Sequence, residues 1–281
     1  MYKKRRRRKS KAFTIFFLLL VILAILLLDS NYRIVTTEYE LAFENLPQSF
    51  DGFRIAHLSD IHAAEFGEDN KTLISKVAAS NPNIIAVTGD LIDAPGQGEI
   101  VRTLMNELVK ISPVYYVTGN HEWDSGAISE LFDILDECGV ITLRNEYVTL
   151  TAGESSIVLS GVDDPNGRAD MKTPSELKAE IDEETDNLFT ILLGHRNNFI
   201  SKYASLGFDL ALVGHAHGGI IRFPFTDGLI GPNREWLPTY TNGVYTKDDT
   251  TMFVSRGVGN HTGVPRFLNN PHIPLIILKS T

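Results

Sequence analysis

Apolar and polar positions divide the chain into three stretches. The first is an unbroken apolar run, Ala12–Leu28, 17 residues without a charge. Leu, Ile, Phe and Val dominate it, and it sits at the short end of the ~17–25 residues that a membrane-spanning helix needs. The second, residues 29–49, reads as a tether and an edge strand. Its segments Arg33–Thr37 and Tyr39–Phe43 are strand-like with partial alternation. The third, residues 50–281, alternates short apolar runs with helical periodicity. Phe53–Leu58, Ile84–Thr88, Val114–Val117, Phe189–Leu193 and Leu210–Val213 predict buried strands. Helices are predicted near Asn70–Ser80, Gly98–Ile111, Ser125–Cys138 and Pro174–Thr185. Asn70, Ser125 and Thr173 are their candidate N-caps, and Pro82 and Pro113 stop the first two. Tyr147–Leu150 and Ser156–Ser160 read as strands with no helix between them. Gly219–Phe223, Thr251–Ser255 and Pro274–Leu278 read as later strands. Alternation first and strands afterwards predict two sheets packed face to face, with helices outside. Gly161–Ala169 and Phe223–Gly243 are the candidate long loops.

Charge sharpens the reading of the N-terminus. Eight of the 26 Lys and Arg fall within residues 1–11, which hold no acid. The basic segment 1–11 then precedes a candidate anchor at 12–28, so the positive-inside rule places the N-terminus in the cytoplasm and the body outside it. The same cluster can hold anionic headgroups of the inner leaflet. A cleaved signal peptide is the alternative, but no small-x-small site follows Leu28. A twin-arginine signal is a third option, although Arg7-Arg8 lacks the usual spacing to a Phe-Leu pair. The rest of the chain has 18 basic residues against 35 acidic ones. Phosphate neutralisation needs clustered Lys and Arg, so a body this acidic is not expected to bind nucleic acid. Cys138 is the only cysteine, which excludes an intramolecular disulfide and a thiolate zinc site. Its neighbours Leu135 and Val140 fit a buried position.

The candidate chemistry lies just past the strands. Asp60-Ile61-His62, Gly89-Asp90, Gly119-Asn120-His121-Glu122, Gly194-His195 and Gly214-His215-Ala216-His217 each follow one predicted strand. Their carboxylates, amide and imidazoles form a donor set suited to first-row divalent metals: Mn, Fe, Zn or Co. Groups past the C-terminal ends of neighbouring strands converge on one rim of a sheet, where α/β folds build their sites. Taken singly, an Asp-x-His pair or a Gly-Asp turn is commonplace. The ordered combination is specific.

This order of motifs resembles the calcineurin-like metallophosphoesterases, from about Phe50 to the C-terminus. The resemblance implies an α/β four-layer αββα sandwich: two mixed β-sheets flanked by helices, here with an N-terminal transmembrane helix. It also implies two divalent metal ions. One would take Asp60, His62, Asp90 and His217, the other Asp90, Asn120, His195 and His215. A hydroxide shared by the two metals would attack the phosphorus. His121 would protonate the leaving oxygen or stabilise the transition state, and Asp93 would orient it.

Two positions depart from the family's pattern. Ala94 stands where protein Ser/Thr phosphatases carry a phosphate-holding Arg. Asn197 replaces a Pro often found two residues past the single His. Further stretches resemble a membrane-anchored bacterial branch similar to UDP-2,3-diacylglucosamine pyrophosphohydrolases. They are Gly161–Asp164, Gly218–Pro224, Tyr240–Tyr245, Ser255–Asn260 and Pro265–Phe267. In that reading Arg222, Arg256 and Arg266 bind a far phosphate or sugar, or else form ordinary salt bridges. His261 and His272 read as structural or surface residues. The expected activity is hydrolysis of a phosphomonoester, phosphodiester or pyrophosphate bond in a small-molecule or lipid-linked substrate. A non-catalytic metal-binding scaffold and a nuclease are the alternatives.

Overall fold

In the computed structural model, the described residues are 2–167, 171–232 and 234–281, with backbone alone for 2–10. The side chains of the basic cluster and parts of the two long loops lie outside them. The first helix, α1, runs Tyr2–Tyr32. It therefore extends the 17-residue apolar run at both ends, and residues 29–32 are helical rather than a loose tether. Its Lys11–Tyr32 portion is the one helix among the described residues long and apolar enough to cross a membrane. The last turn is tied to the body. The Asn31 amide exchanges two hydrogen bonds with the Arg266 backbone, at 2.9 and 3.0 Å. The Ser30 hydroxyl accepts from the Leu268 N–H at 2.8 Å.

Strands β1 (Val35–Phe43), β2 (Arg54–Leu58), β3 (Ile84–Thr88), β4 (Val114–Val117) and β5 (Ile141–Thr142) belong to the first sheet. β6 (Glu146–Ala152), β7 (Ser155–Gly161), β8 (Thr190–Leu193), β9 (Leu210–Val213), β10 (Gly243–Lys247) and β11 (Thr250–Val254) form the second, and β12 (His272–Ser280) returns to the first. The orders are β1-β12-β2-β3-β4-β5 and β10-β11-β9-β8-β7-β6. Both are mixed: β12 runs antiparallel to β2, while β2, β3 and β4 are parallel. Between the sheets lies a core that includes Ile55, Val117, Leu159, Leu193, Leu212 and Phe253. Helices α2 (Lys71–Ala79), α3 (Gly98–Leu108) and α5 (Ile128–Glu137) cover the outer face of the first sheet. α6 (Pro174–Thr185) and α7 (Ile200–Leu206) cover the second. The four-layer αββα sandwich is thus present, with α4 (Asn120–Ser125) at the rim. Cys138 is buried, as its flanks indicated.

Three local expectations need correction, and one helix was not anticipated. The helix read over Ser125–Cys138 is two helices, because Gly126 takes a left-handed φ of 72° between them. Ser125 ends the first, its hydroxyl accepting from the Ala127 N–H at 3.0 Å. Asn70 does not cap α2 through its side chain; its Oδ1 accepts from the Phe66 N–H at 2.9 Å. Gly219–Phe223 is not a strand. A 3-10 turn occupies His217–Gly219, and one bridge joins Ile221 to Phe267. Finally, α7 is seven residues long, too short to show periodicity in the sequence.

Candidate metal centre

The five strands that precede the motifs end at one common rim. β2, β3 and β4 arrive from the first sheet, and β8 and β9 from the second. The chain must turn sharply there. Asp60, His62, Asp90, His215 and His217 all have φ between 48° and 68°. That region costs a non-glycine L-residue roughly 1–2 kcal/mol, and such conformations persist where the surroundings over-determine them. Close approach does so here. A Cβ on Gly119 would lie 2.2 Å from Asp90 Oδ1, so only glycine lets the third motif pass the second.

Two groups of side chains result, sharing Asp90: Asp60, His62, Asp90 and His217, and then Asp90, His195 and His215. In the first, His62 Nε2 and His217 Nε2 face each other at 3.2 Å, and His217 Nε2 is 3.5 Å from Asp60 Oδ1. In the second, His195 Nε2 is 3.1 Å from Asp90 Oδ2 and 3.2 Å from His215 Nδ1. Paired nitrogens at that separation fit two donors on one ion at ~2.0–2.1 Å each. Asn120 Oδ1, at the start of α4, is buried with no hydrogen-bond partner among the described residues. Burial pushes His215 down to about 2 and His217 well below the ordinary imidazole range, so both are neutral donors. Burial opposes charge on His195 as well, but the Asp90 carboxylate wins and lifts it to about 10. Positive charge is therefore favoured beside Asp90. The donor set fits two divalent cations.

Surrounding contacts orient these groups. The Thr88 carbonyl is 2.8 Å from His195 Nδ1, which leaves Nε2 to face Asp90. Glu122 is fully buried and its carboxylate accepts from the N–H groups of Asp90 at 3.0 Å, Gly119 at 2.8 Å, and Leu91. It clamps the second motif to the third. Asp93 Oδ1 is shared. It lies 3.0 Å from His121 Nδ1 and 2.6 Å from His62 Nδ1. The expected Asp93–His121 pair is thus present, with a second partner that the resemblance did not include. Because Asp93 orients a candidate ligand as well as His121, Asp93→Asn should weaken metal binding by about 10–100-fold. Metal titration of the variant checks this; unchanged affinity would confine Asp93 to His121.

Two side chains enter the site unforeseen. His261 was read as structural or surface, yet its ring centroid lies 4.0 Å from His121 and 4.5 Å from His62. Its Nδ1 is buried without a partner. The Gly259 N–H, bonded to the Asp60 carbonyl at 2.7 Å, brings that loop in, a contact between distant segments with no local signature. Arg196 Nη1 is 3.2 Å from His215 Nε2, and its Nε donates to Asp164 at 2.6 Å. Arg266, read as a phosphate or sugar ligand or else an ordinary salt bridge, is fully buried. Its guanidinium donates to the Gly259 and Arg256 carbonyls at 2.6 and 2.8 Å, so it is structural. His272 is also fully buried, at the start of β12. Beside His195 and Arg196 opens a cavity of about 360 Å³, with Val162, Phe199 and Tyr203 among its walls.

A sandwich of two mixed sheets with an Asp/His-rich rim defines a class of metal-dependent hydrolases. Residues 53–219 match the calcineurin-like phosphoesterase family, and the chain belongs to it. The family uses divalent metal ions, in keeping with the donor set above. The chain is similar to the uncharacterized metallophosphoesterase YkuE of Bacillus subtilis, 32% identical over 89% of this chain and 87% of that protein. It is 29% identical to a Danio rerio transmembrane protein with a metallophosphoesterase domain, over 86% of this chain and 56% of that protein. The apolar helix and the transmembrane-named relatives together point to membrane anchoring. In fold alone it is similar to the NAD nucleotidase of Haemophilus influenzae, with a TM-score of 0.50 and 14% identity over 74% of this chain and 50% of that one.

Proposed function

We propose that the chain is a binuclear metal-dependent phosphoesterase. Asp60, His62, Asp90 and His217 hold one divalent ion, and Asp90, Asn120, His195 and His215 hold the other. The observation that carries this reading is the pair of donor groups sharing Asp90. When bound, two such ions lower the pKa of water and neutralise charge on the phosphoryl oxygens. The protein's own residues do the rest. Asp93 holds the His121 ring by Nδ1, so its other nitrogen is free to donate a proton to the leaving oxygen. His62 and His261 pack against the same ring and limit its rotation.

A lipid-linked or glycolipid phosphate is the proposed substrate, and two features support it. The apolar walls of the cavity beside His195 suit a non-polar substituent. Phe223, Phe225, Trp236 and Leu237 are exposed on one loop, and Phe223 packs on Phe267, next to the residues that hold the end of α1. Aromatic residues of this kind favour the membrane–water interface. The test is hydrolysis of p-nitrophenyl phosphate and bis(p-nitrophenyl) phosphate by the full chain in detergent across Mn, Fe, Zn and Co. No turnover of either ester with any metal would refute a general phosphoesterase.

Residues 12–28 are proposed to form the anchor, with residues 1–11 cytoplasmic and the catalytic body, residues 50–281, outside. A reporter fused after Thr281 should then report an exported location, with the chain retained in membranes at high salt. A cytoplasmic C-terminus would overturn the orientation, and release of the body would indicate cleavage.

A further inference from the structure

His261 packs at the rim but makes no bond through its ring there. Its ring centroid lies 4.0 Å from that of His121, 4.5 Å from His62 and 5.6 Å from His217. Its Nδ1 is enclosed with no hydrogen-bond partner among the described residues, although part of the residue reaches solvent. Enclosed polar atoms in folded proteins almost always have a partner, whether protein, water or ion. The backbone holds the imidazole in this position. The Gly259 N–H is bonded to the Asp60 carbonyl at 2.7 Å. Asn260 then closes the turn around His261: its Nδ2 donates to the Val264 carbonyl at 2.8 Å, and its Oδ1 accepts from the Thr262 N–H at 3.2 Å.

The neighbours of His261 form a donor set of their own. One ligand atom from each of His62, Asp93, His121 and His261 lies within 4.8 Å of the others. Asp93 Oδ1 links two of them, at 2.6 Å from His62 Nδ1 and 3.0 Å from His121 Nδ1. His62 is committed to the inner pair, where its Nε2 faces His217. Asp93, His121 and His261 remain. One carboxylate and two imidazoles make a three-ligand set for zinc, with a position left for water. Asp90 is not in this group, and neither are His195 and His215. The side chains of His121 and Asp93 are 21% and 26% exposed, so an ion from solution can reach them without opening the core.

We propose that Asp93, His121 and His261 form a third, outer cation site, which takes zinc when that ion is in excess and silences the centre. The outer ion binds more weakly than the inner pair, because two dications stand nearby and repel it. Its effect on turnover rests on the phosphoesterase reading above; the existence of the site does not. His121 is the link. As a general acid it must carry protons on both ring nitrogens and release one. An imidazole that ligates an ion through either nitrogen cannot do so. Filling the outer site therefore removes the acid and leaves the two inner ions in place.

The test is zinc bound per chain, measured by equilibrium dialysis of the full chain in detergent over rising free zinc. Wild type should pass from two equivalents to three. His261→Phe keeps an aromatic ring against His121 and His62 and removes the donor nitrogens, so it should stop at two. His261→Glu returns a donor and should take a third equivalent again. A wild type that stops at two, or a His261→Phe protein that still takes three, would overturn the site. Loss of the inner ions in His261→Phe would place His261 in the binuclear centre and overturn it as well. Turnover of an alkyl phosphate gives the second readout. In wild type it should fall about 10²–10⁴-fold as the third equivalent binds, the size of a lost general acid. In His261→Phe it should hold that variant's own two-ion level. Zinc inhibition of equal depth in both proteins would overturn the silencing role. A third, His261-dependent ion in a protein with no turnover at two ions would support the site and refute the phosphoesterase reading alone.

Discussion

Asp90→Asn should abolish turnover on every phosphoester and empty both metal positions. Asp90 belongs to both donor groups and is almost wholly buried. The substitution keeps the shape of the side chain and removes its charge. That charge is what draws positive charge to His195 at 3.1 Å. Without it, two cations must sit among neutral imidazoles and the single carboxylate of Asp60. A charge-assisted interaction is roughly twice as strong as a neutral one, and here the loss falls on two ions at once. The expected rate loss is several orders of magnitude, because water left unactivated has a pKa of about 15.7 rather than near 7. Metal analysis should show fewer than one ion per chain. Two retained ions with near-normal activity would remove Asp90 from its bridging role.

His121→Ala should separate binding from proton transfer. His121 belongs to neither of the two groups that share Asp90, and its Nδ1 is occupied by Asp93 at 3.0 Å. Both metals should therefore stay bound. The rate should fall about 10²–10⁴-fold for an alkyl phosphate, whose leaving oxygen needs a proton. For p-nitrophenyl phosphate the fall should be smaller, since that leaving group departs as an anion. The His121 backbone N–H donates to Asp90 Oδ1 at 3.0 Å, an interaction that alanine preserves. Loss of metal in His121→Ala would place the imidazole among the ligands. An equal loss for good and poor leaving groups would assign His121 to charge stabilisation instead.

Much of the architecture was legible because its strands are buried on both faces. Ile84–Thr88, Val114–Val117 and Leu210–Val213 read as unbroken apolar runs, and they coincide with β3, β4 and β9. Thr173 was legible as a cap, and its hydroxyl does accept from the Glu176 N–H at 3.2 Å. What escaped depends on neighbours distant in the chain. Gly219–Phe223 has strand-like composition but meets Phe267 at only one bridge. Asn70 has a capping side chain that bonds backward to Phe66 instead.

The site divides in the same way. The motif residues follow strands that end at one rim, so adjacency could be inferred from order. His261 reaches the rim because Gly259 of its loop is bonded to Asp60, far earlier in the chain, and to Arg266 on the turn just beyond it. The three arginines Arg222, Arg256 and Arg266 look alike in sequence. Burial and partners separate them: Arg266 is fully buried and donates to backbone carbonyls, whereas Arg256 is half-buried and, among the described residues, its Nε has no partner. The two contacts of Asp93 were likewise not legible together, since the resemblance related it to His121 alone.

The central claim is that activity depends on two metal ions held by groups sharing Asp90. Its most direct test is the metal content of the full chain, measured alongside its phosphoesterase rate during chelation and metal restoration. The account predicts two divalent ions per active chain, loss of turnover as they are removed, and recovery when they return. Full turnover by protein stripped of both ions would contradict it.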